Sequence, residues 1–530
     1  MKSNGLSFHH PLAFWLGCCA LIAGVLAHLP MFLMGAHNGY RMAGMAMDAT
    51  MLTGMALIPF GLLLAAYGMM PRLAQMRRQH AGAPVSFHVA DGAPLNAAHW
   101  KLVAVLLVAL AVDVMKPATL GFVMPGMSRE YEISKQSAAW LALVALSGTT
   151  LGSLVWGRIA DLFGRRAAIL LSALMFVGTA ICGAMPSFDW NLAMCFLMGA
   201  SAGGLLPITF TLMAEMIPTR HRGWLLVMLG GVGSSAGYLL AAGSAAWLEP
   251  LYSWRSLWLL GLPTGLIIIV LDRYIPESPR FLVNAGLAGQ ARAVLAKFCG
   301  SFDDGAPAHA AAPADAHGGF RQLLRGRYAL ITYGLMVSGI AWGLVNFGFL
   351  LWLPSNLGSM GMDAGAASAL LARSAVLALP GILVVTWLYH RWSSIKALLL
   401  FIALTTLSLL AFFALERMGA LSTGAVVLAT AALLVSASGV IAMLIPYAAE
   451  IYPVHLRATG SGVIAASSKF GGILGAIGGV AGVFNNMALS ALLIALPMAL
   501  SALMLARSGI DTRGRNLEEI QDAVAQRDPA

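Results

Sequence analysis

Fourteen runs of about 20 mostly apolar residues constrain this chain more than any other feature, because a run of that length crosses a bilayer as a helix. They lie near residues 12–34, 49–70, 101–124, 137–158, 167–186, 190–214, 224–247, 255–273, 328–353, 365–389, 396–415, 422–447, 459–482 and 485–506. Charged residues make up 10% of the chain and hydrophobic ones 59%, whereas a soluble domain is nearer a quarter charged. The expectation is an all-α, multi-pass integral membrane protein, not a soluble enzyme. The five cysteines, Cys18, Cys19, Cys182, Cys195 and Cys299, have no metal-ligand spacing. The first run reads as a retained anchor and not a cleaved signal.

Basic residues collect on the cytoplasmic side of membrane proteins. With the N-terminus inside, twenty-four Lys and Arg fall on the inner side. Five fall outside (Arg41, Arg129, Lys135, Arg255, Arg417) and three within spans (Lys116, Arg373, Lys469), which accounts for all 32. Both termini are therefore expected in the cytoplasm, and the net charge of +10 needs no nucleic acid.

The third to fourteenth spans make twelve, split six and six by a polar segment at 274–327 whose run Gly305–Gly319 reads as a flexible linker. A repeat supports the split. AEMIPTRHRG (Ala214–Gly223) and AEIYPVHLRA (Ala449–Ala458) lie 235 residues apart, each after the fourth helix of its set. Secondary transporters are commonly built from such repeats, with the substrate site at the interface near mid-membrane. The expected divisions are 1–100, an extra hairpin and linker; 101–273, a first six-helix bundle; 274–327, an interdomain loop; 328–506, a second bundle; and 507–530, a tail.

GRIADLFGRR (Gly157–Arg166) is placed on the loop between the second and third of the twelve helices, with a degenerate counterpart, YHRWSSIK, near Trp392. IPESPRFL (Ile275–Leu282) follows the sixth. Together G-x-x-A-D-x-x-G-R-R, E-x-x-P-x-x-x-R-G and P-E-S-P-R resemble the major facilitator superfamily, in particular its sugar-porter, organic-ion and aromatic-acid branches. The resemblance covers roughly residues 101–506 and implies two six-helix halves that rock about a central site. Charge pattern adds a cytoplasmic gate at the helix ends: Gly157, Asp161, Arg165, Arg166, Glu215, Arg222, Glu277, Arg280, Glu450 and Arg457.

Of the 22 acids only Asp113 is deep in a span, against the bases Lys116, Arg373 and Lys469. A charge at the bilayer centre costs about 2.5–3.5 kcal/mol, so it usually faces a partner or a cavity. Counting rise along the helix, Asp113 lies ~18 Å and Lys469 ~15 Å from the inner ends of their spans, and Arg373 ~12 Å from the outer end of its own. Asp113 and Lys116 share a helix face and can neutralise one another. Asp113 is the candidate proton-coupling group, with Lys116 released to hold an anion when it protonates. The excess of buried cations points to an anionic substrate, with Lys116, Arg373 and Lys469 as its candidate binding residues. The resemblance adds that organic-anion carriers place a basic residue in helix 11 after an E-x-Y-P motif. Here Glu450–Pro453 is followed by Lys469, although Arg is usual there. GLVNFGFLLWLP (Gly343–Pro354) resembles the Y-G-x-x-x-W-L-P pattern of aromatic-acid transporters and nominates Asn346, Phe347 and Trp352 as site-lining.

The turn between the first two spans is rich in methionine (Met31, Met34, Met42, Met45, Met47, Met51, Met55). Thioethers suit Cu(I), but flexible apolar packing accounts for them as well, and no metal or cofactor is expected. The sequence reading is a proton-coupled importer of a small organic anion, monomeric in function, in a bacterial inner membrane. The alternatives are a sugar or polyol:proton symporter, a multidrug exporter of the same superfamily, or a transporter-like receptor or sensor.

Overall fold

A computed structural model describes residues 10–69, 93–285, 287–299, 320–513 and 519–520. It contains fourteen helical spans long and apolar enough to cross a membrane. They are α1 (Pro11–Asn38), α2 (Ala49–Met69), α3 (Ala97–Glu130), α4 (Lys135–Phe163), α5 (Arg165–Ala184), α6 (Phe188–Met216) and α7 (Arg220–Tyr252). There follow α8 (Ser256–Tyr274), α9 (Ala329–Ser359), α10 (Ala364–Arg391), α11 (Ser394–Arg417), α12 (Thr423–Ile451), α13 (Thr459–Val480) and α14 (Met487–Ser508). No strand occurs among the described residues.

Polar residues set several helix starts. Ser187, Asp363, Ser393, Ser422 and Asn486 each accept a backbone N–H of the first turn, which satisfies donors a helix leaves unpaired. α3 is longer than the expected 101–124. Asn96 accepts from the Ala98 and His99 N–H groups at 2.9 and 3.2 Å and starts the helix early. The Asn96 amide also donates to the Phe298 carbonyl at 2.7 Å, tying α3 to a helix at Ala288–Cys299. The segment 274–327 is thus not all loop. It holds that helix and a shorter one at Pro279–Asn284, while Gly305–Gly319 lies outside the described residues.

GRIADLFGRR is not a loop either. The helix continues to Phe163 and restarts at Arg165, leaving Gly164 as the only joint, at φ +104°. A side chain there would be strained by the positive φ and would run into the Glu277 carboxylate, whose Cδ is 2.6 Å from an ideal Cβ.

The extra hairpin closes on small residues. Gly17 and Gly24 on α1 face Gly61 and Gly54 on α2, with carbonyl oxygens 2.6–2.7 Å from where a Cβ would stand, a spacing that only glycine permits. The hairpin packs on α5. Its turn is fixed to the end of α3, where the Met42 and Ala43 N–H groups donate to Glu130 at 2.8 and 3.1 Å. Met31, Met42 and Met51 are buried and Met45, Met47 and Met55 partly so, so these methionines serve as packing.

Spans α3–α8 and α9–α14 meet where α7 packs on α10 and α12 and α4 packs on α13. The helix ends at Arg165, Glu215 and Glu277, beside the Gly164 joint, contact one another, and Gly223 of that set faces the Glu450 carboxylate of the other; this side is here called the basic face.

Candidate functional site

α9 packs on α13 through small residues. A Cβ on Gly339 or Gly343 would meet Ser467, Ser468 or Gly472 of α13. One turn further on, α9 becomes π-helical over Val345–Leu350, with the Leu351 N–H donating to the Asn346 carbonyl at 2.9 Å. Such segments recur at functional sites because the extra residue re-aims the side chains around it. Asn346 and Phe347 sit in this segment, half-buried. The Phe347 ring lies against Gly472, and Leu146 of α4 is the next neighbour there.

Lys469 is one turn from Gly472 on the same face of α13. Its Nζ donates to the Ser153 hydroxyl of α4, spanning the two helix sets. Ser153 continues the α4 face that carries Leu146 and Thr150. The Lys469 charge also interacts with that of Asp113 on α3. Lys469, Asp113, Ser153, Asn346 and Phe347 thus converge where α3, α4, α9 and α13 meet.

Asp113 and Lys116 form the expected pair, Nζ to Oδ1 3.4 Å, with both side chains almost fully buried. The Lys116 ammonium also lies 3.9 Å from the centre of the Phe176 ring on α5, a cation–π contact inside the first helix set. That direction takes Lys116 away from α13 and toward α5. Trp352 is packed against Gly479, 1% exposed, and its buried Nε1 has no hydrogen-bond partner among the described residues.

Arg373 does not join the cluster. It is exposed on α10 in line with Val376, Leu377, Leu383, Val384 and Trp387, all more than half exposed, while Leu371, Ala375, Ala378, Ile382 and Val385 on the opposite side are buried. In a membrane the outward stripe of a helix is apolar, so hydropathy alone does not separate it from the packed stripe.

Tyr238 of α7 is a residue that sequence reasoning missed. Ser235, one turn before it, meets Ser438 of α12 across the interface, Oγ to Oγ 3.3 Å. The Tyr238 ring lies 6.0 Å from Phe122 of α3, and its buried hydroxyl has no hydrogen-bond partner among the described residues. A buried polar atom left unpaired calls for an explanation, and a ligand group is one.

On the basic face, Arg165 reaches Asp161 at 3.2 Å and Glu215 at 3.5 Å. Arg166 makes a two-pronged pair with Asp272, Nε to Oδ1 2.6 Å. Glu277 accepts from the N–H groups of Arg165 (2.7 Å), Arg166 (3.3 Å) and Ser278 (2.9 Å), so it caps α5 from across the Gly164 joint. Burial pushes its carboxyl up to about 7, against those N–H groups and the Arg165 charge. Arg222 donates to the Ile217 carbonyl at 3.1 Å. Gly157 has open space around it and Arg280 is exposed. The Arg457 side chain lies outside the described residues.

Glu450 accepts from Tyr389 at 3.0 Å and Thr512 at 2.6 Å. Asp511 accepts from the Ser394 N–H at 3.1 Å and so caps α11, as Glu277 caps α5. Burial works against its ionisation, but the hydrogen bonds from Arg513 and Ser394 hold its carboxyl below the ordinary range. The signal was present in the sequence: Ile510-Asp511-Thr512 repeats Pro276-Glu277-Ser278 as an acid followed by a hydroxyl, 234 residues on.

The family model described as Major Facilitator Superfamily matches residues 102–476. The chain is 30% identical to the 4-hydroxybenzoate transporter PcaK of Pseudomonas putida over 73% of this chain and 86% of that protein. It is 28% identical to a gallate transporter of Pseudomonas putida, over 79% and 94%. It is 26% identical to the niacin transporter NiaP of Acinetobacter baylyi, over 81% and 98%. Among solved structures, a proton:xylose symporter, XylE, superposes with a TM-score of 0.62 at 17% identity, covering 81% of this chain and 99% of that one. At that identity the likeness speaks for the fold.

Proposed function

The chain belongs to the major facilitator superfamily, and from that premise we propose that it imports a small carboxylate with one aromatic ring, together with a proton. It is a membrane transporter and not an enzyme. Niacin, gallate and 4-hydroxybenzoate, named for its relatives, are all single-ring acids.

One observation carries the reading: Lys469 bridges from α13 to Ser153 on α4, across the two helix sets and within electrostatic reach of Asp113 on α3. Asp113 and a substrate carboxylate compete for the same positive charge. Protonating Asp113 removes the competitor, so proton and anion favour each other's binding, which is the requirement for symport. Phe347 offers a face for the ring. Asn346 and the unpaired Tyr238 hydroxyl offer polar contacts for ring substituents. Lys116 holds Asp113 in place from the α5 side.

The two helix sets rock about this centre. The clusters around Arg165, Arg166, Glu215, Asp272 and Glu277, and around Glu450, Thr512 and Asp511, fix helix ends on the basic face and act as its gate. That face is the cytoplasmic one, with both termini inside, because it carries most of the Lys and Arg. The membrane is a bacterial inner membrane.

Thermal unfolding of the purified protein with single-ring acids, sugars and lipophilic cations, at about pH 5.5 and about pH 7.5, tests the proposal. Single-ring acids should raise the midpoint, more at the lower pH, and Lys469→Ala should abolish the rise. Stabilisation by a sugar or a cation that persists in Lys469→Ala would remove the anion assignment.

A further inference from the structure

Arg373 is left without a task by the reading above. It makes no hydrogen bond or ion pair among the described residues, yet it sits within a membrane span. A charge held in hydrocarbon is costly enough to need a partner.

Its surroundings identify that partner. The stripe it heads (Val376, Leu377, Leu383, Val384, Trp387) is exposed and apolar as far as Trp387, and the exposed Arg391 ends it one turn later, at the other end of α10. A water-filled cleft would not be lined only by apolar side chains for about four turns through the middle of a span, so this stripe faces lipid. α10 has 28 residues, about 42 Å at 1.5 Å per residue, against about 30 Å of hydrocarbon. The helix therefore overhangs the hydrocarbon by roughly 6 Å at each end if centred. Arg373 is nine residues beyond Ala364, which puts its Cα roughly 8 Å below the hydrocarbon edge. Side chains on a helix lean toward its N-terminus. For α10 that direction leads to the nearer membrane surface, so the long arm of Arg373 carries its guanidinium up toward the headgroups.

We propose that Arg373 binds the phosphate of a phospholipid in the leaflet at the N-terminal end of α10, with the acyl chains lying along Val376, Leu377, Leu383 and Val384. A guanidinium matches phosphate oxygens two at a time. α10 also packs on α7 of the other helix set, so the lipid would sit on a helix that takes part in the rocking interface.

The test is a titration of the detergent-purified protein with phosphatidylglycerol, read as the shift in unfolding midpoint, in wild type, Arg373→Gln and Arg373→Lys. Inorganic phosphate is the control. Wild type and Arg373→Lys should be stabilised. Arg373→Gln should need roughly fivefold more lipid, the scale of one basic side chain at a lipid surface, and inorganic phosphate should do nothing. Equal lipid response in Arg373→Gln would overturn the proposal. So would a shift reproduced by inorganic phosphate, or loss of the carboxylate response in Arg373→Gln with lipid response intact. An independent measurement covers a variant that fails to fold: a spin label at Val376→Cys should collide with dissolved oxygen in preference to a water-soluble nickel chelate. The opposite preference would place the stripe in water and end the idea.

Discussion

At the scale of single residues, charge in an apolar span was readable from the sequence and direction was not. Asp113, Lys116 and Lys469 stood out because almost nothing else ionisable lies so deep. That Lys116 turns to Phe176 depends on how α3 meets α5, which no local pattern encodes. Tyr238 looked like an ordinary aromatic until packing against Phe122 left its hydroxyl unpaired. Two outcomes follow at this scale. Asp113→Asn strands a buried ammonium, and breaking such a pair costs about 3–5 kcal/mol. Its unfolding midpoint should fall, and Asp113→Asn with Lys116→Met should recover much of the fall without recovering proton-driven uptake. Recovery of uptake by the double variant would reduce the pair to a structural role. Tyr238→Phe removes an atom that has no partner among the described residues, so stability should stay within about 1 kcal/mol. Affinity for a hydroxylated ring acid should fall roughly fivefold, the scale of one hydrogen bond. Unchanged binding would take Tyr238 out of the site.

At the scale of elements, the spans were legible because length and hydropathy suffice to define them, while their ends were not. GRIADLFGRR carries enough charge to resemble a loop, yet it is helical on both sides of Gly164 because Glu277 supplies the α5 cap from another segment. The matching cap of α11 by Asp511 was overlooked because the second copy has Ile510 where the first has Pro276, and Ser394 falls in the degenerate YHRWSSIK stretch. The π-helical turn of α9 was likewise hidden, since its residues read as one continuous apolar run. Gly164→Ala should therefore be harmful although it adds one methyl group. Positive φ at a residue with a side chain costs about 1–3 kcal/mol, and the added carbon collides with Glu277. We expect a lower unfolding midpoint and impaired uptake, whereas Gly157→Ala, in open space, should behave as wild type. Equal behaviour of the two variants would show that the joint has no special geometry.

At the scale of the whole molecule, the twelve-helix plan and its internal repeat were visible as hydropathy and as the E-x-x-P-x-x-x-R spacing. The attachment of the extra hairpin was not visible, because backbone N–H groups of Met42 and Ala43 make it and any sequence supplies those. The hairpin touches α5, the α3 end and, through Tyr40 against Tyr252, the end of α7, and Glu130 also holds a 2.7 Å pair with Arg255 that involves no hairpin residue. A chain lacking residues 1–92 should therefore still fold its twelve helices and transport, with a lower unfolding midpoint. Complete loss of uptake in a folded truncated protein would give the hairpin a part in the cycle itself. The one-turn spacing of Asp113 and Lys116 bears on biosynthesis too. The ribosome makes a chain from its N-terminus, so α3 leaves it some 60 residues before Phe176 and some 350 before Lys469. Had the carboxylate depended on either of those, α3 would have waited in the translocon with a naked charge. With its counter-ion on the same helix it needs no later partner, and the transport chemistry can be assembled around it afterwards.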